Sequence, residues 1–298
     1  MRIEETTVDW LLEGSNPLVR VRALLDLCGF SDGHTEVRKA RRIAVRELPA
    51  ARDLSWMSLK GQVLVYNLTA IAESGLSRRH VEVERAIDTL LSQPFDANCG
   101  DLMALRAMVM LGYQRDPRVL QRVKQLAACQ LPDGGWLCLH RVNRMGRTPK
   151  SCIKAANHGL LLAAELSKKG ATFPGTESLI NYYLKRRVFY RMDRPTQLVL
   201  NQPGRRMTEA FFPNEYFHVG LPVLLEAFAE LGVVNAAEMG EAWRLLDEKI
   251  DDHGRIVLEG TLPTGKAYLP RERVGKPSKW GTLYAHMAFR KSKTQNRA

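Results

Sequence analysis

The chain has 298 residues, of which 45% are hydrophobic, enough for one large domain or two ordinary ones around a substantial core. No apolar run reaches the roughly 18–20 residues that span a bilayer. Three acidic residues precede the first apolar pair, Leu11-Leu12, which is not the pattern of a signal peptide. Five cysteines without tight spacing fit a reducing compartment. We therefore expect a soluble, cytoplasmic protein.

The net charge of +12 is concentrated in two segments. Residues 134–164 carry five Lys or Arg and no acidic residue, and residues 185–206 carry seven Lys or Arg and one Asp. These segments contribute +5 and +6. Such clustering favours an anionic partner, while the alternative is that the charge serves only solubility.

The N-terminal segment, residues 1–50, is predicted to be helical. Asn16-Pro17 combines a helix N-cap with a proline suited to the first helical position. The following VRVRALLDL resembles one turn of a HEAT repeat. We expect this segment to belong to the same domain as the rest of the chain.

Residues 51–291 are predicted to form helical hairpins. Each apolar first helix ends at a glycine suited to a left-handed cap, and an amphipathic second helix follows. The predicted first helices are 59–75, 100–112, 151–170 and 213–232, and the second helices are 81–93, 116–130, 176–187 and 238–250. A last inner helix is predicted at 278–291, a short strand at 255–260 and a basic, disordered tail at 292–298.

The most specific motif is QLPDGGW at 130–136, with a weaker echo, KIDDHGRI, at 249–256. It resembles the QW-type repeat of squalene-hopene cyclases and of protein prenyltransferase β subunits. The resemblance implies an all-α fold, an α/α toroid of about five to six hairpins around a central cavity. In such a turn Trp136 covers the end of the outer helix and Gln130 bonds the next repeat. The motif therefore indicates a fold and not a reaction.

The chain departs from the catalytic patterns of these families. It has neither the DxDD acid of squalene-hopene cyclases nor a DDxxD-like metal-diphosphate motif, so we do not expect squalene cyclase activity. The prenyltransferase comparison extends through basic residues to Cys152. However, Lys150 or Ser151 stands where that family has its zinc-binding Asp, and Lys279 or Trp280 stands near the position of its His. A zinc site would need other ligands.

Three cysteines, Cys99, Cys138 and Cys152, are predicted to lie at one rim of the toroid. With a histidine, they could complete the tetrahedral N/S site that zinc prefers. The candidates for that fourth ligand are His140, His158 and His218. The alternative is that the cysteines are ordinary buried side chains of a helical core.

Basic residues at the same rim form a candidate anion site. Arg147 and Lys150 precede a predicted helix start, where side-chain charge and backbone N–H groups can converge on one anion. The full candidate set is Arg144, Arg147, Lys150, Arg205, Arg206 and Lys279. The alternatives are solvated loop charge and a nucleic-acid surface, although the segment lacks interleaved aromatic residues.

Aromatic residues, including Tyr216 and Trp280, are candidates for the lining of the cavity. Ordinary core packing is the alternative for each of them. His218 is a candidate acid or base for catalysis, and a hydrogen-bonded core histidine is the alternative.

We carry two functional hypotheses from the sequence. In the first, the protein binds an isoprenoid-like or other amphiphilic anion, such as an isoprenoid diphosphate, in the central cavity, with transferase activity as one option. In the second, it is a non-enzymatic helical scaffold whose basic face holds an acidic protein or nucleic acid. A carbohydrate-active enzyme would need paired central carboxylates, which the sequence does not identify.

Overall fold

The structure is a computed structural model that describes residues 5–137, 151–211, 218–261, 269 and 272–295, and these residues are mostly helical. The N-terminal helices are α1 (Glu5–Leu12), α2 (Pro17–Arg22) with a π-helical turn at Ala23–Leu27, α3 (Thr35–Glu47) and α4 (Pro49–Arg52). The inner helices are α5 (Gln62–Glu73), α7 (Cys99–Leu111), α9 (Ile153–Lys168), α11 (Leu221–Glu230) and α13 (Lys279–Gln295). The outer helices are α6 (Glu84–Ser92), α8 (Pro117–Ala128), α10 (Thr176–Leu184) and α12 (Gly240–Glu248).

The all-α prediction is confirmed for this part of the chain, in which the only strands are two short ones. β1 (Ile256–Val257) lies within the predicted strand 255–260 and pairs antiparallel with β2 (Pro277–Ser278), which the sequence did not predict. In the described ranges, no helix is both long and apolar enough to cross a membrane.

Local signals place the start of α2 and the end of α7 where the sequence predicts them. The Asn16 side chain accepts a hydrogen bond from the Val19 N–H, and Pro17 occupies the first position of α2. Helix α7 ends at Gly112, whose φ of 102° is the left-handed conformation that a side chain would strain.

Two inner helices differ from the prediction at one end. Helix α11 starts at Leu221, eight residues after the predicted position, because Gly220 and Pro222 define the first turn. Helix α13 continues to Gln295 and therefore includes part of the predicted tail. Its last turns are held by α11, since the Gln295 amide donates to a backbone carbonyl of that helix.

The inner helices pack side by side in chain order, α5 on α7, α7 on α9, α9 on α11 and α11 on α13. Helix α13 also contacts α2 and its π-helical turn. Outer helices α8, α10 and α12 cover α7, α9 and α11, respectively. We call the end where the inner helices finish the glycine-turn end. The opposite end, where α7 begins at Cys99 and α9 follows Cys152, is the thiol end.

Candidate functional site

The QLPDGGW turn joins three helices at the thiol end, as the sequence predicts. The Gln130 amide donates to the Gly134 carbonyl at 2.8 Å and to the Gly175 carbonyl at 3.0 Å. Gly175 is the N-cap of α10, the next outer helix. Gln130 therefore bonds the next repeat.

Trp136 fastens this turn to the core. Its side chain is fully buried, and its indole N–H donates to the Leu126 carbonyl of α8 at 2.9 Å. A Cβ atom on Gly159 of α9 would lie 2.4 Å from the indole ring, so the ring needs a glycine at that position. The indole thus fixes how closely α8 and α9 approach.

The turn also sets where α9 begins. The Cys152 N–H donates to the Trp136 carbonyl at 2.8 Å, and the Ser151 hydroxyl donates to the Asp133 carboxylate. Cys152 is the N-cap of α9. The position of Cys152 is therefore set by the backbone of the turn.

A second motif places Cys99 beside it. The Asn98 side chain accepts from the Gly100 N–H at 2.7 Å, and the Asp101 carboxylate accepts from the Asn98 N–H at 3.2 Å. This capping box fixes the first turn of α7, where Cys99 is the first residue. As a result the sulfur atoms of Cys99 and Cys152 lie 4.0 Å apart, although 53 residues separate them in sequence.

This distance bears on the predicted zinc site. Two thiolates at about 2.3 Å from one tetrahedral zinc lie about 3.8 Å apart, so these two sulfurs fit one ion. Cys138 and His140 lie outside the described residues, and His158 is buried within α9. Within the described ranges, no three His, Cys, Asp or Glu side chains are arranged to hold a metal. The structure therefore brings together two of the three predicted cysteine ligands.

An apolar cavity opens beside the thiols. It has a volume of about 580 Å³ and lies along α7, between the first turns of α5 and α9. We call it the α7 cavity. Its apolar wall includes Val65, Phe95, Ala104, Leu105 and Met108. Cys99, Cys152 and Lys154 also line it, so polar and reactive groups meet an apolar surface, as is typical of small-molecule sites.

The charged residues that line this cavity are two cations, Arg122 and Lys154, and two carboxylates, Asp96 and Asp101. The Lys154 ammonium lies 3.4 Å from Nε2 of His218, a buried imidazole. Burial, together with the charges of Lys154 and Arg205, lowers the pKa of His218 to about 4, so the ring is neutral at pH 7. Among the residues that the structure describes, neither Lys154 nor Arg205 forms an ion pair with a carboxylate. Lys154, at the edge of the cavity, is therefore a cation whose nearest polar partner in this part of the chain is a neutral imidazole.

The other predicted site residues have separate surroundings. The Lys279 ammonium pairs with the Glu13 carboxylate at 3.0 Å, and Trp280 is fully buried in the core. The Arg206 side chain donates to a backbone carbonyl of its own loop. Outside the described residues lie Arg144, Arg147, Lys150 and Tyr216.

The glycine-turn end contains a buried ion network that the sequence did not indicate. The Glu73 carboxylate of α5 pairs with Arg106 of α7 at 2.6 Å and with Arg22 of α2 at 3.3 Å. It also accepts a hydrogen bond from the Tyr284 hydroxyl of α13. Although burial opposes it, attraction by Arg106 and Arg22 lowers the pKa of Glu73. The carboxylate is therefore ionised in the core.

The network continues through the remaining inner helices. The Lys168 ammonium of α9 lies 2.9 Å from Glu165 and 3.0 Å from Glu226 of α11. Lys291 of α13 pairs with Glu226 at 2.7 Å. Burial alone would raise the pKa of Glu226, but the two ammonium groups outweigh it and lower that pKa to about 2. A charge in the middle of an almost apolar inner helix, such as Arg106 in α7, is the sequence signal that could have revealed this network.

A second cavity, of about 700 Å³, lies over this network. We call it the charged cavity, because Arg22, Asp26, Lys168, Glu230 and Lys291 are among the residues that line it. These five groups pair with carboxylates or cations of the same network. The charges of this cavity are therefore largely neutralised by one another, whereas Lys154 beside the α7 cavity faces an imidazole.

Comparison with known proteins gave no matching family model, no matching curated sequence and no matching solved structure. The resemblance to the cyclases and prenyltransferases therefore stays a prediction that depends on the QLPDGGW motif.

Proposed function

We propose that this protein binds an amphiphilic anion, an isoprenoid diphosphate or a similar molecule, at the thiol end. The apolar chain lies in the α7 cavity and the anionic head lies beside Lys154. One observation carries the proposal: an apolar cavity of about 580 Å³ is bordered by a lysine that faces an imidazole and not a carboxylate.

The electrostatics support the anionic head. His218 is held neutral beside Lys154 and Arg205, so a bound anion gains the attraction of these two cations without breaking an ion pair that either of them makes among the described residues. The basic segment 134–164, which contains Lys154, also contributes three positive charges to the sequence just before α9, those of Arg144, Arg147 and Lys150. The start of α9 adds the partial positive charge of a helix N-terminus.

The fold that accompanies this function is, in our proposal, an α/α toroid. The side-by-side packing of the inner helices in chain order supports it. The ion network supports it too, because its contacts run from α2 through α5, α7, α9 and α11 to α13, and Tyr284 of α13 bonds back to α5.

The test is native mass spectrometry of the purified protein with elemental analysis, followed by titration with farnesyl diphosphate. We expect one bound molecule per chain and at least about a tenfold loss of affinity in Lys154→Met, the effect of removing one charge-assisted contact. The matched control is Lys169→Met, which removes an exposed lysine at the glycine-turn end. Equal affinity in the two variants, or no binding by the unmodified protein, would overturn the proposal.

Elemental analysis in the same experiment tests the zinc site. One zinc per chain that is lost in Cys152→Ser would support a prenyltransferase-like centre with Cys99 and Cys152 as ligands. Zinc bound there would supply Lewis-acid chemistry or thiolate activation. A metal-free protein would contradict that centre while leaving the anion site to be judged by the titration.

A second candidate function is a scaffold that binds an acidic protein or nucleic acid. The observation that favours it is the buried network, which joins the inner helices at the glycine-turn end through paired side chains. Binding of a single-stranded oligonucleotide that weakens steeply with salt would support this candidate. If farnesyl diphosphate does not compete for the oligonucleotide, the two functions use different surfaces.

A further inference from the structure

The thiol pair at the mouth of the α7 cavity has a chemistry that does not depend on the proposed ligand. We infer that Cys99 and Cys152 form a reversible oxidation site, a dithiol that peroxide converts into a disulfide between α7 and α9.

The two sulfurs already lie at the distance of a van der Waals contact. They are 4.0 Å apart, and a disulfide bond of about 2.05 Å needs them to approach by about 2 Å. Cys99 is at the first position of α7 and Cys152 is the N-cap of α9, two helices that pack on each other. Side-chain rotation at two such ends changes the sulfur positions without moving either helix axis.

A small oxidant can reach both groups. Each thiol lines the α7 cavity, and Cys99 is the more exposed of the two. We therefore expect Cys99 to react first and Cys152 to resolve the product. Cys28 and Cys129 lie on other elements, and no contact between their sulfurs and another sulfur occurs in the described part of the chain.

The chemistry balances with hydrogen peroxide as the oxidant. The Cys99 thiol attacks one peroxide oxygen, the O–O bond breaks, and a sulfenic acid and one water form. The Cys152 thiol then attacks the sulfenic sulfur, the S–O bond breaks, and a disulfide and a second water form. Each cysteine sulfur loses one electron and one proton, and the peroxide is reduced to two waters.

The experiment treats the full-length protein with hydrogen peroxide, blocks remaining thiols with N-ethylmaleimide and analyses a non-reducing tryptic digest. Trypsin leaves Cys99, Cys152 and Cys138 on three different peptides, 86–106, 151–154 and 125–141. We expect a cross-link of the first two peptides, a mass lower by about 2 Da than their sum, and its loss on treatment with dithiothreitol. The digest is repeated after dialysis against EDTA, because bound zinc would protect the thiols.

Variants separate this pair from the other cysteines. Cys99→Ser should abolish the cross-link, whereas Cys129→Ser and Cys138→Ser should retain it. A trivalent arsenical, which bridges two neighbouring thiols, should bind the unmodified protein and Cys138→Ser but not Cys99→Ser. The inference would be overturned if the EDTA-treated protein yielded no cross-link, or if peptide 125–141 took the place of either partner.

Discussion

The two ends of the inner helices differ in how a basic side chain is compensated. At the glycine-turn end, Arg106 is buried and paired with Glu73 at 2.6 Å. At the thiol end, Lys154 faces the neutral ring of His218 beside an apolar cavity. A buried charge that finds its partner within the chain stabilises one arrangement of helices, whereas an uncompensated charge is available to a ligand. We therefore expect removal of a paired charge at the first end to affect stability and removal of Lys154 at the second end to affect binding.

The largest effect should come from breaking the buried network. Arg106→Met removes one partner of the Glu73 carboxylate and leaves that charge less compensated in the core. We expect the free energy of unfolding to fall by about 3–5 kcal/mol, measured by urea denaturation. The control is Arg118→Met, because Arg118 is half exposed in its pairs with Asp88 and Asp116. This substitution should lower the free energy of unfolding by less than about 1 kcal/mol. Equal losses in both variants would contradict the idea that burial makes the Arg106 pair costly to break.

Acid should weaken the same network. The folded-state pKa of Glu226 is about 2, below its ordinary value of 4.5, so its contribution is present above pH 4.5 and is lost as pH falls toward 2. That contribution is on the order of 3 kcal/mol. We expect the stability difference between the unmodified protein and Glu226→Gln to shrink over this interval in pH-dependent denaturation. A difference that is constant from pH 5 to pH 2 would contradict this linkage.

A smaller loss of stability is expected on substitution of a glycine in each of two related turns that precede inner helices, and the two losses should differ. Gly134 and Gly254 occupy equivalent positions, each donating its N–H to the carbonyl three residues earlier, and both have positive φ. Replacement of either glycine by alanine should lower the free energy of unfolding by about 1–3 kcal/mol, because a residue with a side chain is strained at positive φ. Gly134→Ala should cost more than Gly254→Ala, because its Cβ would lie 2.1 Å from a backbone oxygen of α10, whereas at Gly254 it would meet the side chain of Thr7. Thermal unfolding of the two variants measures the difference, and a larger loss for Gly254→Ala would contradict the prediction.

The smallest change in stability should come from replacing Lys154 at the thiol end, although this replacement should change the pKa of His218. Lys154→Met should alter the free energy of unfolding by less than about 1 kcal/mol. It should also raise the pKa of His218 from about 4 toward its ordinary value of 6.5, since one of the charges that lowers it is gone. An NMR titration of the His218 ring measures this shift, and Lys169→Met serves as the control. An unchanged His218 pKa would mean that burial and Arg205 account for the depression.

The folded chain bears out much of what local patterns indicate. Periodic apolar residues, the Asn16-Pro17 start of α2 and the glycine after α7 act within one or two helical turns, so they can be interpreted without the fold. The QLPDGGW motif also predicted that Gln130 bonds the next repeat, because a turn of this kind leaves its amide beside the following helix.

The sequence by itself therefore determined the helical hairpins, their caps and the turn that holds Trp136. Only the tertiary structure decided which charges are paired and which thiols meet. Arg106 and Glu73 lie 33 residues apart, Cys99 and Cys152 lie 53 apart, and no periodic pattern connects either pair. Their chemistry depends on distances between helices, which are set by how side chains such as Trp136 pack against Gly159 and not by the local preferences of the chain.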